Sequence, residues 1–260
     1  TRHRFRAIVT REDMQMIMVD TPGMHKPHDA LGEELNTSPI KAMEDVDVVA
    51  FLVDASKPVG TGDEWVARQV REVRGARKIL VITKADLVSK ETAIQQLEAA
   101  RALGTWDDEV VLSSKNGFNV EGFVQAVAKW LPEGPKWFPE DMDTDQPFEV
   151  LVAEFIREKI LRSYRDEVPH SIGVVADQMT YDRKKDMYRI FANVYVERDS
   201  QKGIIIGKGG EAIKKVGIEA RRDLEQMLGC KVFLDMQVKV KKNWRRDLNQ
   251  IRRFGYGEGM

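Results

Sequence analysis

Over the first 131 residues, short apolar runs alternate with stretches whose apolar positions recur every three or four residues. Arg4–Thr10 and Met14–Asp20 both read as strands, and the polar turn Arg11-Glu12-Asp13 between them predicts an antiparallel hairpin. Val46–Val53 is nearly continuous in apolar residues and ends at Asp54, the pattern of a strand covered on both faces of a sheet. A helix over Asp63–Arg74 follows, then the strand Lys78–Ile82, a helix over Lys90–Leu103, the strand Glu109–Leu112 and a helix over Val120–Leu131. Between hairpin and apolar run, Asp29 is placed to cap a helix over Ala30–Glu44 that Pro39 would bend. Buried strands alternating with amphipathic helices predict an α/β domain with a doubly wound, mostly parallel sheet.

The pattern breaks at residues 134–147, where prolines, glycine and acidic residues can extend neither a helix nor a central strand. This stretch reads as a linker between domains at 1–133 and 148–260, with Trp137 and Phe138 packing it onto one of them. Periodicity then restarts. A helix over Glu149–Tyr164 precedes strands over His170–Thr180 and Asp186–Arg198, joined by the turn Tyr181–Lys185. Ser200 is placed to cap a short helix over Gln201–Ile206, and after Gly207-Lys208-Gly209-Gly210 a longer helix carries Ile213, Val216, Ala220, Leu224 and Met227. A strand over Lys231–Val240 closes the set. The order α-β-β-α-α-β predicts a smaller α+β domain.

Charge supports the division. The 260 residues carry a net charge of −1, yet residues 1–147 hold 18 Lys+Arg against 25 Asp+Glu while residues 148–260 hold 23 against 17. An acidic and a basic half imply different partners. The lone Cys230 can make no internal disulfide, which fits a reducing cytosol and the role of a small core hydrophobe. His25 and His28 have no cysteine or carboxylate cluster to complete a metal site and read as loop residues. The longest apolar run, Val48–Val53, is too short to cross a bilayer, and no apolar signal-peptide core opens the sequence, so a soluble cytoplasmic protein is expected.

Three strands end in polar tetrads, which a parallel sheet would bring to one crevice. In Asp20-Thr21-Pro22-Gly23 the carboxylate suits Mg²⁺, directly or through water, and the amide of Gly23 is unobstructed toward a terminal phosphate. In Thr83-Lys84-Ala85-Asp86, Asp86 offers two acceptors matched to the N1–H and exocyclic amine of guanine, and the stem of Lys84 suits the base and ribose. A backbone amide in the Ser113-Ser114-Lys115 turn could donate to guanine O6. Each tetrad alone is a weak signal, but their order at successive strand ends is a strong one. In the basic half, Gly207 and Gly210 permit close approach to a sugar-phosphate backbone, the following helix start favours phosphate, and Lys208, Lys214, Lys215, Arg221 and Arg222 add positive charge. The alternative is a helix-turn-helix whose glycines only serve the turn. In the tail Lys241–Arg246, Trp244 suits base stacking or packing equally.

D-T-P-G, T-K-A-D and S-S-K together resemble the third, fourth and fifth guanine-nucleotide motifs of translation-factor-type GTPases, and Thr1-Arg2-His3-Arg4 resembles the switch I segment of the Era family. The basic half resembles a type II KH domain, in which G-K-G-G clamps about four single-stranded nucleotides. The resemblance covers essentially the whole chain. It implies a GTPase of ribosome assembly that uses GTP/GDP and Mg²⁺. Its KH domain binds the 3′ end of 16S rRNA of the small ribosomal subunit, and the nucleotide state gates that binding. It also implies a monomer and carries an association with the membrane periphery. The implied guanine-nucleotide residues are Thr1, Asp20, Thr21, Pro22, Gly23, Met24, Thr83, Lys84, Asp86, Ser113, Ser114 and Lys115, with Thr1 and Asp20 at Mg²⁺. The implied RNA residues are Ile206, Gly207, Lys208, Gly209, Gly210, Lys214, Lys215, Arg221 and Arg222.

Three departures qualify the resemblance. Thr83 stands where the family usually has Asn, and Met24 stands where Ras-like proteins orient water with Gln, so the catalytic group is unassigned. The signature G-x-x-x-x-G-K-[ST] is absent, and Gly203–Gly209 is one residue short of it. The 260 residues are therefore expected to bind GTP poorly. Two other readings remain: an inactive G-domain scaffold carrying an RNA-binding KH module, and a small-molecule α/β enzyme with an unrelated basic domain.

Overall fold

The structure, a computed structural model, describes residues 5–20, 43, 45–164 and 172–254. It divides into two compact units, the second taking over from the first at Gln146.

In the first unit β1 (Phe5–Thr10) and β2 (Gln15–Asp20) form the antiparallel hairpin, with Phe5 opposite Asp20 and Ile8 opposite Ile17. β3 (Val48–Asp54), β4 (Arg77–Thr83) and β5 (Asp108–Val111) form a parallel sheet in that order. Two parallel crossovers carry α1 (Thr61–Glu72) and α2 (Lys90–Arg101), and α3 (Val120–Ala128) follows β5. The helix starts are locally encoded. The Asp63 carboxylate accepts from the amide of Gly60 at 2.9 Å, and Ser89 caps α2 by accepting from the amide of Thr92 at 3.2 Å. Ile79, Leu80, Val81 and Ile82 of β4 are all buried. Leu80 and Ile82 pack with Phe51, Val53, Val70 and Ala100, while Ile79 and Val81 pack with Met16, Val110, Ala126 and Val127. Helices therefore cover both faces of this central strand, as a doubly wound sheet requires. β3 departs from expectation: Leu52 is 59 % exposed, because β3 is an edge strand of the described sheet and is not covered on both faces.

The stretch expected to be a linker runs along the hairpin as far as Asp145. The side chain of Gln15 accepts from the amides of Trp137 and Phe138 at 2.8 and 2.9 Å and donates to the Phe138 carbonyl at 2.9 Å. The Ile8 amide donates to Asp143 O at 2.8 Å, and Arg6 meets Asp145 at 2.7 Å. Hydrogen bonds of the Gln15 side chain and the Ile8 amide, with the Arg6–Asp145 pair, make this attachment, and Phe138 is half-buried in it. The side chain of Trp137, expected to pack, is 82 % exposed.

In the second unit α4 (Phe148–Ser163) precedes a sheet of β6 (Gly173–Asp182), β7 (Met187–Val196) and β8 (Lys231–Val240), in that order. β6 and β7 are antiparallel. β7 and β8 are parallel, so the chain must cross over between them, and α5 (Asp199–Ile206) and α6 (Glu211–Leu228) make the crossover. Alternate residues Ile190, Ala192, Val194 and Val196 of β7 face a core shared with Ile156 and Ile160 of α4, Ile205 of α5, and Val216, Ala220 and Leu224 of α6. Buried Lys159 of α4 is paired with Asp223 of α6, which holds its ammonium above the usual lysine range and fixes one helix against the other.

Two expectations are corrected here, and one open alternative, that of Trp244, is decided for packing. Ser200 lies inside the first turn of α5. Gln201 does the capping instead, accepting from the amides of Glu197 and Arg198 at 2.9 and 3.1 Å. Met227, placed on the apolar face of α6, is exposed near its end. Trp244 is fully buried, its ring 5.1 Å from that of Phe254, which itself stacks on Tyr195 at 4.5 Å. That indole packs the tail, including α7 (Leu248–Arg253), and offers no face to a base. Among the described residues no helix is long and apolar enough to cross a membrane. The expected helix over residues 30–44 lies outside the described residues except for Met43.

Candidate functional sites

Two of the three strand-end tetrads are described in full, and hydrogen bonds join them. The amide of Leu112 donates to Ile82 O at 2.9 Å and the amide of Ala85 to Leu112 O at 3.2 Å, so the turns after β4 and β5 lie side by side. Thr83, in the place of the family's Asn, donates its hydroxyl to Val53 O at 3.1 Å and ties β4 to β3. Lys84 has φ +56°, a left-handed conformation that costs a non-glycine residue about 1 kcal/mol or more, and it opens the short 3₁₀ turn Ala85–Leu87. Its ammonium lies 2.6 Å from Asp54 Oδ2. Asp54 Oδ1 accepts from the amide and hydroxyl of Ser56 at 3.0 and 2.6 Å. The Lys84 and Ser56 bonds together depress the Asp54 carboxyl to about 2.

Asp86 is exposed at the turn, and buried Ser113 donates its hydroxyl to Asp86 Oδ1 at 2.5 Å. This bond orients the carboxylate and leaves Oδ2, with further lone pairs on Oδ1, open toward solvent. The amide of Ser113 donates to Phe118 O at 2.9 Å, so of the two residues expected to offer a donor, Ser113 supplies a hydroxyl to Asp86. The amide of Ser114 makes no hydrogen bond among the described residues, and Ser114 and Lys115 are exposed in the turn. Asp20 is exposed at the end of β2, opposite Phe5. Thr1, Thr21, Pro22, Gly23 and Met24 lie outside the described residues. A single strand-end carboxylate suits Mg²⁺, which keeps several waters and completes its octahedron on phosphate oxygens. Among the described residues no cluster of His, Cys, Asp or Glu forms an all-protein metal cage.

The second site is continuous in sequence. α5 ends at half-buried Ile206, and the chain turns through Gly207 (φ +72°), Lys208, Gly209 (φ +61°) and Gly210 (φ +81°) into α6. A Cβ on Gly207 would sit 2.5 Å from Ala212 Cβ, so only glycine closes this turn. Open space surrounds a Cβ at Gly209 or Gly210. No side chain caps α6; its first amide, that of Glu211, donates to Lys208 O and closes the loop, and the Lys208 side chain is exposed beside it.

Beginning at Ile213, in the first turn of α6, a groove of about 1220 Å³ runs between α6 and β8; the loop residues themselves do not line it. Ile213, Gly217, Ile218, Leu234 and Met236 give it an apolar lining, with Lys214 and Arg221 along the helix side. Lys215 and Arg222, also expected at the RNA, are exposed on α6 but do not line the groove. Arg221 is 3.9 Å from Glu225. Glycine inside a helix costs about 1 kcal/mol relative to alanine. Gly217 has a packing reason to be there, since a Cβ would come within 3.0 Å of Met236 Cε at the groove wall. Sequence periodicity gave Ile213 to the core and missed the groove. The signals that could have found it are Gly217 in mid-helix and Ile218, a half-exposed apolar residue beside it.

A family model described as "50S ribosome-binding GTPase" matches residues 1–84, and one described as "KH domain" matches residues 167–245. Among solved structures the chain is similar to Era in complex with MgGDPNP and nucleotides 1506–1542 of 16S ribosomal RNA. The TM-score is 0.95 at 33 % identity, over 99 % of this chain and 87 % of that one. It is equally similar to a point variant of Aquifex aeolicus Era bound to GDP·AlF4−, with a TM-score of 0.94 at 33 % identity, over 99 % of this chain and 88 % of that one.

Proposed function

The chain belongs to the Era family of GTPases, and on that footing we propose that it binds and hydrolyses GTP in its first unit and holds the 3′ end of 16S rRNA in its second, in assembly of the small ribosomal subunit. RNA binding responds to nucleotide state. The protein acts as a cytoplasmic monomer, with any membrane contact peripheral. The observation that carries the reading is the hydrogen-bonded pair of turns at the carboxyl edge of the parallel sheet, with Ser113 aiming Asp86 outward.

Asp86 reads guanine through paired acceptors, and the stem of Lys84 flanks the base. Adenine would leave the carboxylate facing the wrong donor pattern, a mismatch on the order of 10⁴-fold when a site is built around a polar partner. By its likeness to the family motif, the sequence Asp20-Thr21-Pro22-Gly23 would serve the terminal phosphate, and Thr1 and Asp20 are the residues that would hold the metal. A Mg²⁺ ion held by these residues would supply neutralisation of the charge that develops on the phosphate oxygens. In the second unit, Gly207–Gly210 lets the RNA backbone approach α6 closely, the positive end of the α6 dipole and Lys208 favour phosphate, and bases lie on the apolar wall formed by Ile213, Gly217 and Ile218. Ile206, Lys214, Lys215, Arg221 and Arg222 complete this surface.

The test is GTP hydrolysis by the full-length protein with and without an oligonucleotide of the 16S rRNA 3′ end. Mg²⁺-dependent turnover that rises with RNA is expected. RNA binding without turnover would instead identify a G-domain scaffold for the KH module, and loss of both would overturn the assignment. Residues 1–260 alone lack the G-x-x-x-x-G-K-[ST] amides that cradle α- and β-phosphates, so they are expected to hold GTP weakly. Submicromolar binding of a fluorescent GTP analogue to residues 1–260 would contradict that.

A further inference from the structure

Asp54 belongs to none of the three turns, yet it is the partner of the Lys84 ammonium. It stands at the end of β3, directly opposite Thr83 in the parallel register. Its Oδ2 takes the ammonium at 2.6 Å, while its Oδ1 is engaged by both the amide and hydroxyl of Ser56. The carboxylate is therefore anchored by its own loop before it meets the lysine. Lys84 needs such an anchor. A lysine stem has four rotatable bonds, and the freedom lost in lining a ligand counts against affinity unless it is already restricted. The left-handed backbone at Lys84 fixes only where the side chain departs. The far end is fixed by Asp54, so the stem spans from the turn after β4 to the end of β3 across the carboxyl edge of the sheet.

We infer that Asp54 is a positioning residue of the guanine site, holding the Lys84 stem in the place where it flanks the base, with Ser56 holding Asp54 in turn. This rests on the proposed guanine-nucleotide function. The opposite arrangement, a latch that must break before nucleotide enters, predicts the reverse sign and is distinguished by the same experiment.

The measurement is the dissociation rate of a fluorescent GDP analogue from the full-length protein, chased with unlabelled GDP. Asp54→Asn keeps the shape and removes the charge, and nucleotide should leave about 10-fold faster, the scale of one charge-assisted hydrogen bond. Ser56→Ala should accelerate release by about 2- to 3-fold, as one of two anchoring bonds from that residue remains. In a Lys84→Met background, Asp54→Asn should change the rate by less than about 2-fold, because the group it acts through is gone. Unchanged or slower release from Asp54→Asn would overturn the inference. Equal acceleration with and without Lys84 would also overturn it, showing that Asp54 acts on the fold. Wild-type protein that binds no guanine nucleotide at all would instead bring down the underlying functional reading.

Discussion

The two sites treat charge in opposite ways. At the turns after β4 and β5 the two groups expected to meet the base are already engaged within the protein, Lys84 with Asp54 at 2.6 Å and Asp86 with the Ser113 hydroxyl at 2.5 Å. Around the glycine loop, Lys208, Lys214 and Lys215 make no ion pair among the described residues, and Arg221 only approaches Glu225 at 3.9 Å. A pocket that must tell one base from another needs its few polar groups held in one geometry before the ligand arrives. A surface that follows a polyanion needs cations whose charge is not neutralised internally, because its affinity comes from displaced counterions. The first site is built for discrimination and the second for grip.

The largest effect should come from breaking discrimination. Asp86→Asn replaces one acceptor by an NH₂ donor, which opposes the exocyclic amine of guanine but complements the C2 carbonyl of xanthine. GTP affinity of the full-length protein should fall about 10³-fold while XTP affinity rises, as expected where a buried polar partner is mismatched. Competitive displacement by the two nucleotides reads both changes, and parallel losses would mean that Asp86 does not read the base.

Next in size is breaking grip. Lys208→Asp with Gly209→Asp reverses the loop charge at positions where added side chains meet open space, and Asp tolerates the left-handed φ of Gly209 better than most residues. RNA affinity should fall about 100-fold with GTP binding unchanged, given the repulsion introduced at close phosphate contacts, while the left-handed φ at position 209 lowers stability by only about 1 kcal/mol. Gly207→Ala is a poorer probe, because its Cβ would strike Ala212 and move α6 itself.

These contrasts also mark what was legible in the chain. Val48–Val53 and Ile79–Ile82 are apolar runs ending in polar residues, so the convergence of their carboxyl ends follows from parallel-sheet geometry before any coordinates are seen. The partnership of Asp54 with Lys84 spans thirty positions and depends on strand register, which composition does not encode. Proline and glycine content marked residues 134–147 as a linker, but one amide side chain, that of Gln15, holds their first part against the hairpin. Aromatic residues were read worst. Trp137, expected to pack, is exposed, while Trp244, weighed equally as a stacking platform and a packing anchor, is buried against Phe254, a partner that periodicity does not reveal. The groove was invisible for a related reason: Ile213 and Met236 obey the same periodicity as core residues, and only the space between α6 and β8 reveals which of them meet solvent.

The smallest predicted effect sharpens the comparison within the grip itself. Lys214 and Lys215 are neighbours on α6, of equal charge and both exposed, but only Lys214 lines the groove. If RNA follows the groove, Lys214 neutralises a phosphate and Lys215 contributes only to the general field. Lys214→Ala should then reduce the slope of log affinity against log salt by about 0.7, the value for one phosphate contact on a single strand. Lys215→Ala should leave the slope within error while weakening binding slightly at low salt, where screening is least. Titrations of the 16S 3′-end oligonucleotide at three or more salt concentrations separate the two outcomes. Equal slope changes would mean that RNA covers the outer face of α6 as well, and the path would then have to be redrawn over both helix faces rather than along the wall formed with β8.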